Sequence, residues 1–136
     1  MANNPLFYDN TVITAVNAAA TLANNGFLNI YTGGQPGLDG GISGTLLVSL
    51  ALSATAFGTA TASGGTVTAL ANTISNGTAS NTGTAGYFSI MQSDNATVVL
   101  TGTCGLSGAD LNMSTTAIVS GAVVSCSSFA ITQAQT

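Results

Sequence analysis

The chain contains no lysine, arginine, histidine, glutamate or tryptophan, and its side-chain acids are Asp9, Asp39, Asp94 and Asp110. Each absence removes a class of function. Phosphate recognition depends on Lys or Arg for counterion release and charge-assisted hydrogen bonds, so direct nucleic-acid binding is not expected. The acidic balance also disfavours attachment to anionic membranes. General acid–base chemistry near neutral pH draws mostly on histidine, and the four carboxylates are scattered without a cation beside them, which argues against an enzyme. Without histidine a metal would need hard oxygen ligands. Asp39 and the Asp94-Asn95 pair read as exposed turns rather than as a weak Ca²⁺ site, so neither metal nor cofactor is expected. The segment 1–10 lacks the basic and apolar regions of a secretory signal, which implies synthesis in a cytoplasm. The most apolar later stretch, 46–57, is too short to span a bilayer and is broken by Ser49, Ser53 and Thr55.

What remains is an apolar, sparsely charged chain of 136 residues, sized for one domain. Charged residues make up 3% of it, against about a quarter in an average soluble domain. With 46% hydrophobic residues and a mean hydropathy of +0.50 it has enough apolar surface to fold. Its polar surface must then come from Ser, Thr, Asn and Gly, which repel one another weakly and suit self-association or cover by a partner.

The pattern along the chain is mostly strand. Residues 1–9 read as an extended arm in which Pro5 precedes Leu6, Phe7 and Tyr8, a run that must lie on its own domain or on a neighbouring subunit. Residues 10–136 read as one domain. Asp9 or Asn10 is placed to cap a helix over about 11–24, with Val12, Ile13, Val16, Ala19, Ala20 and Ala23 as its apolar stripe and Asn24-Asn25-Gly26 as its stop. Alternation over 27–31, 46–52, 66–71, 87–93 and 97–101 predicts strands, the last two forming a hairpin through Ser93-Asp94-Asn95. Asn76-Gly77 reads as a turn. In the stretch 102–132, turns at Ser107-Gly108 and Ser120-Gly121 separate two or three antiparallel strands. The last of these places Val123, Ser125, Ser127, Phe129 and Ile131 on one face. The sum is an antiparallel β-sandwich or jelly-roll-like domain of roughly seven to nine short strands with one N-terminal helix.

Few residues carry candidate chemistry. The loop holding Gly33, Gly34, Gln35, Pro36 and Asp39 is Gly-rich and reads as an exposed excursion; it lacks the Lys-Ser/Thr ending of a phosphate-binding loop. Cys104 and Cys126 are the only thiols. A bond between them would stabilise by about 3 kcal/mol, but cytoplasmic synthesis favours free thiols buried as small apolar groups.

Three phrases carry a resemblance. They are Ile30-Tyr31-Thr32-Gly33-Gly34-Gln35-Pro36; Leu46-Leu47 leading to Leu52-Ser53-Ala54-Thr55-Ala56-Phe57-Gly58; and Gly105-Leu106-Ser107-Gly108-Ala109-Asp110-Leu111-Asn112-Met113. In this order they resemble a family of small proteins encoded among the virion genes of tailed bacteriophages. The resemblance covers most of the chain after Phe27 and implies a capsid decoration, or cement, protein. Such a protein binds the major capsid protein on the outside of the head, is assembled in the host cytoplasm, and associates with itself, with a trimer favoured. Members of the family tend to carry Val at the positions of Cys104 and Cys126, which implies packing rather than a required disulfide. The absence of basic residues goes beyond the family pattern and leaves apolar burial and backbone pairing to hold the contacts. A tail or fibre component that recognises a host-surface glycan is the alternative.

Overall fold

The computed structural model describes residues 7–134. Its single helix, α1 (Asp9–Leu22), starts two residues earlier than the sequence suggests. Neither Asp9 nor Asn10 caps it. Tyr8 is the N-cap, without a side-chain bond, and its carbonyl accepts from the amides of Thr11 and Val12 at 2.9 and 3.1 Å. Asp9 lies in the first turn instead, where a negative charge favours the helix dipole. Val12, Val16 and Ala20 form the buried stripe. The helix stops where Asn25 turns left-handed at φ 58° and Gly26 passes so close to β-sheet backbone that a Cβ would stand 2.0 Å from the Met91 carbonyl oxygen.

The strands are β1 (Phe27–Tyr31), β2 (Leu46–Ala51), β3 (Thr61–Ser63), β4 (Thr66–Leu70), β5 (Gly77–Thr78), β6 (Gly83–Thr84), β7 (Tyr87–Met91), β8 (Val98–Gly105), β9 (Leu111–Asn112), β10 (Ala117–Ile118), β11 (Val123–Val124) and β12 (Ala130–Ala134). The main sheet runs β2-β1-β7-β8-β9, antiparallel except for the short β8–β9 pairing. A second sheet runs β12-β4-β3, and two short ribbons pair β10 with β6 and β11 with β5. The domain is mostly β, sandwich-like, with one N-terminal helix. Leu28, Ile30, Val48, Leu50, Phe88 and Ile90 of the main sheet join one core with α1, with Val67 and Ala69 of β4, and with Phe57 and Phe129.

The opposite face of the main sheet is polar, yet it too is covered. Cross-strand register sets Ser49 opposite Asn29, Asn29 opposite Ser89, and Ser89 opposite Thr101, a row of neutral polar side chains across four strands. Alternation predicts such a face; burial of Asn29 and Ser89 in its middle was not anticipated. Both are satisfied locally. Ser49 Oγ donates to Asn29 Oδ1 at 2.5 Å, Asn29 Nδ2 donates to Asn95 Oδ1 at 2.8 Å, and Ser89 Oγ donates to Met91 Sδ at 3.1 Å. Beside this row Tyr31 and Tyr87 stack with ring centroids 5.0 Å apart.

Two features of the sequence reading are corrected. Asn76-Gly77 is not a turn, because Gly77 opens β5. Glycine is needed there for close packing, since a Cβ would come 2.5 Å from the Ser49 carbonyl oxygen. Nor do residues 123–131 form one strand. Val123 and Val124 pair with β5, the Ser-rich stretch 125–128 leaves that ribbon, and Ala130 joins β4 in a different sheet. Phe129 anchors the switch, its ring 5.1 Å from Phe88 and 6.1 Å from Phe57.

The covered polar row makes a testable claim about stability. Asn29→Ala strands a donor and an acceptor and should cost about 1–3 kcal/mol, while Leu50→Ala on the core face should cost about 2–5 kcal/mol. Urea denaturation measures both; an Asn29→Ala chain as stable as the parent would show that the row contributes no net stability.

Candidate interaction surface

The loop between β1 and β2 is exposed, as its composition suggests, but it is braced. Thr32 and Thr45 close its base, with the Thr32 amide donating to the Thr45 carbonyl at 3.0 Å and the Thr45 amide donating to Thr32 Oγ1 at 2.9 Å. Farther along, the Ser43 amide donates to the Tyr87 hydroxyl at 3.0 Å, and that hydroxyl donates to the Ser43 carbonyl. Gln35 Nε2 reaches Thr101 Oγ1 at 3.1 Å. The loop therefore folds back over the polar face of the main sheet. Gly33, Gly34 and Asp39 are exposed, Pro36 is half-buried, and Asp39 turns the tip at φ 58°. Beside Asp39 stands Leu38, which is 97% exposed.

Phe7 and Tyr8 are 66% and 83% exposed just before α1. Pro5 and Leu6, the other two residues of the predicted contact arm, lie outside the described residues. The arm and the loop each expose large apolar side chains, as do Leu22, Leu70, Leu106, Val119 and Val123 elsewhere on the domain. Nothing in the geometry shows the arm and the loop meeting to form one site.

Cys104 and Cys126 are free and half-buried against the core. Burial, followed by the neighbouring Cys126 and Asp110, pushes the Cys104 thiol up to about 12. Burial raises Cys126 as well, opposed in part by a backbone hydrogen bond from Ser128; the Cys126 thiol itself donates to the Ser128 carbonyl at 3.3 Å. Neither thiol is poised as a nucleophile, which needs an activating cation or helix terminus.

The carboxylates are used in turns. Asp94 accepts from the amides of Ala96 and Thr97, each at 2.9 Å, and from Thr97 Oγ1 at 2.7 Å; these bonds, led by the Thr97 hydroxyl, hold it down to about 2. Asp110 Oδ2 accepts from the Thr103 amide at 3.0 Å, which ties the 105–110 turn to β8. Among the described residues no three His, Cys, Asp or Glu side chains gather as a metal site would require.

Two hollows open in the domain surface, the second beside Thr101, which the loop between β1 and β2 reaches through Gln35. One, of about 360 Å³, runs beneath 111–128, with Ile30 and Leu50 among its lining residues and Leu111, Met113, Ile118 and Val124 around them. The other, of about 530 Å³, lies between β8 and β12, with Leu100 and Thr101 on one wall and Ala130, Ile131 and Thr132 on the other. Phe88 and Phe129 also line it. Sequence reasoning missed both, because each is made by segments that pair with different sheets. Among the described residues no helix is long and apolar enough to cross a membrane. Comparison with family models, curated proteins and solved structures finds no match to this chain.

The titrating groups set a pH profile. The folded Asp94 is depressed from 3.8 to about 2, so its contribution is present above 3.8 and is lost as pH falls towards 2. The folded Cys104 is raised from 9.0 to about 12, so stability declines as pH climbs from 9 towards 12. Melting temperature against pH should be flat between these windows. In the native chain at pH 8 Cys104 should react with an aromatic disulfide on the order of tenfold to hundredfold slower than in urea; equal rates would contradict its burial.

Proposed function

We propose that this chain is a non-enzymatic structural protein of a tailed-bacteriophage virion, a decoration protein bound to the outer surface of the major capsid lattice. In this reading it is assembled in the host cytoplasm, ends on the exterior of the head, and associates with itself as a trimer. The observation that carries the reading is the combination of a domain without side-chain cations and an apolar side chain, Leu38, held out on a braced loop. A partner gains by covering a side chain that is already positioned, because little conformational freedom is lost on contact.

The phrases that resemble the phage family fall on parts of the fold that support such a surface. The first, 30–36, leaves β1 and begins the braced loop; the second, 46–58, contains β2; the third, 105–113, ends β8, turns at Gly108 with φ 67° and returns as β9. With no side-chain cation, the chain makes no phosphate or carboxylate clamp of its own. Affinity must come from apolar burial and backbone hydrogen bonds, repeated over many copies so that modest contacts add up across a lattice.

The test uses expanded phage shells that lack the protein. Purified chain should bind them to saturation, with little dependence on salt, and raise the temperature at which they rupture. Burying a leucine is worth about 1.5–3 kcal/mol, so Leu38→Ser should weaken binding by about tenfold or more. Shells that take up no protein, or that rupture at the same temperature with it and without it, would contradict the proposal; binding at the tail alone would favour the host-attachment alternative.

A further inference from the structure

The hollow between β8 and β12 has unpaired strand edges for walls. In an antiparallel ladder alternate residues turn their amide and carbonyl towards the same neighbour. The Cys104 amide donates to the Gly86 carbonyl, so Gly102 and Leu100 also face β7, and Thr101 and Thr103 face away from it; beyond Leu100 the register shifts and the alternation stops at Val99. Thr103 is closed off by Asp110, and β9 joins β8 only at Cys104 and Gly105. Among the described residues Thr101 has no strand beside it on that side. The same reasoning applies across the gap. The Ala71 amide donates to the Phe129 carbonyl, which places Ala130, Thr132 and Ala134 with their peptide groups turned away from β4. As β12 is the edge of its sheet, that side is open too.

Natural sheets protect such edges with charged residues, proline or bulges. Here β8 (VVLTGTCG) and β12 (AITQA) carry no charge and no proline, and the one irregularity, in the β7–β8 pairing at Val98–Leu100, lies at the start of β8 and leaves Thr101 in regular pairing. Asp110, the only charged residue lining the hollow, is already turned to Thr103. The space is about 530 Å³, with Phe88 and Phe129 deep in its lining. It fits an extended, uncharged segment that brings apolar side chains to the aromatic floor and peptide groups to both walls.

We propose that the N-terminal segment of a second copy of this chain, led by Phe7 and Tyr8, enters this groove as an added strand and joins the two sheets of its neighbour. The segment 1–8 has no charged side chain, so nothing on it opposes entry between neutral edges. Phe7 and Tyr8 are not covered by the domain they precede, and Tyr8 already has an extended backbone with ψ 153°. Exchange in one direction around a ring leaves no segment unused, so the contact is a heterologous one that closes. The inference rests on the self-association in the proposed function and is independent of whether the partner surface is a capsid.

The experiment is done on the isolated full chain, away from any shell. Light scattering after gel filtration should give an oligomer across the working concentration range. Phe7→Ser with Tyr8→Ser, and separately Thr132→Pro, which removes an outward amide from the groove wall, should each yield a monomer with the secondary structure of the parent by circular dichroism. Mixing a Phe7→Cys population with a Thr132→Cys population under mild oxidation should give a covalent dimer of the two kinds. A monomeric parent, variants that fold and stay oligomeric, or a cross-link formed only within a chain carrying both substitutions would each overturn the proposal. Loss of shell binding with the oligomer intact would count against the capsid reading alone.

Discussion

A chain with no cationic side chain has to satisfy its polar groups with one another, and this constraint shapes the structure from the sheet outward. The row Ser49-Asn29-Ser89-Thr101 is its clearest expression. Buried polar groups are costly when unpaired and roughly neutral to mildly favourable when paired. A neutral row avoids the larger desolvation penalty of a buried ion pair. The row is completed by the β7–β8 turn, where Asp94 organises the backbone and Asn95, at φ 52°, places its Oδ1 against Asn29. Beside the row Tyr87 stacks on Tyr31 and its hydroxyl bonds Ser43, so the loop that presents Leu38 is held by the main sheet.

The same constraint governs how the protein meets others. Charge normally gives solubility, discourages edge pairing and steers partners. With a formal charge of −4 and nothing positive to complement it, those controls are weak. Contacts are then chosen by shape and by hydrogen-bonding backbone. The exposed Leu38, the uncovered Phe7 and Tyr8 and the open edges of β8 and β12 are the features on which the proposed assembly rests.

Much of this was legible along the chain because strands and turns are local. Phe27–Tyr31 was readable to the residue, and Val12, Val16 and Ala20 mark the helix face. Helix capping by Asp9 or Asn10 was misread because the chain enters through Tyr8 in an extended conformation. The failures at Asn76-Gly77 and over 123–131 have one cause: glycine and strand patterns report backbone preference, while the partner strand decides what the backbone does. Gly77 is fixed by Ser49, and the 123–131 segment divides because its two halves pair with β5 and β4. The groove between β8 and β12 was invisible for the same reason, since its walls are about thirty residues apart in sequence and meet only through tertiary pairing.

A cryo-electron-microscopy map of the phage particle proposed to carry this chain tests the central claim most directly. The account predicts density for the domain repeated over the icosahedral shell, bridging neighbouring capsomers, with Leu38 turned towards a partner. Density confined to the tail, or absent from the finished particle, would contradict it.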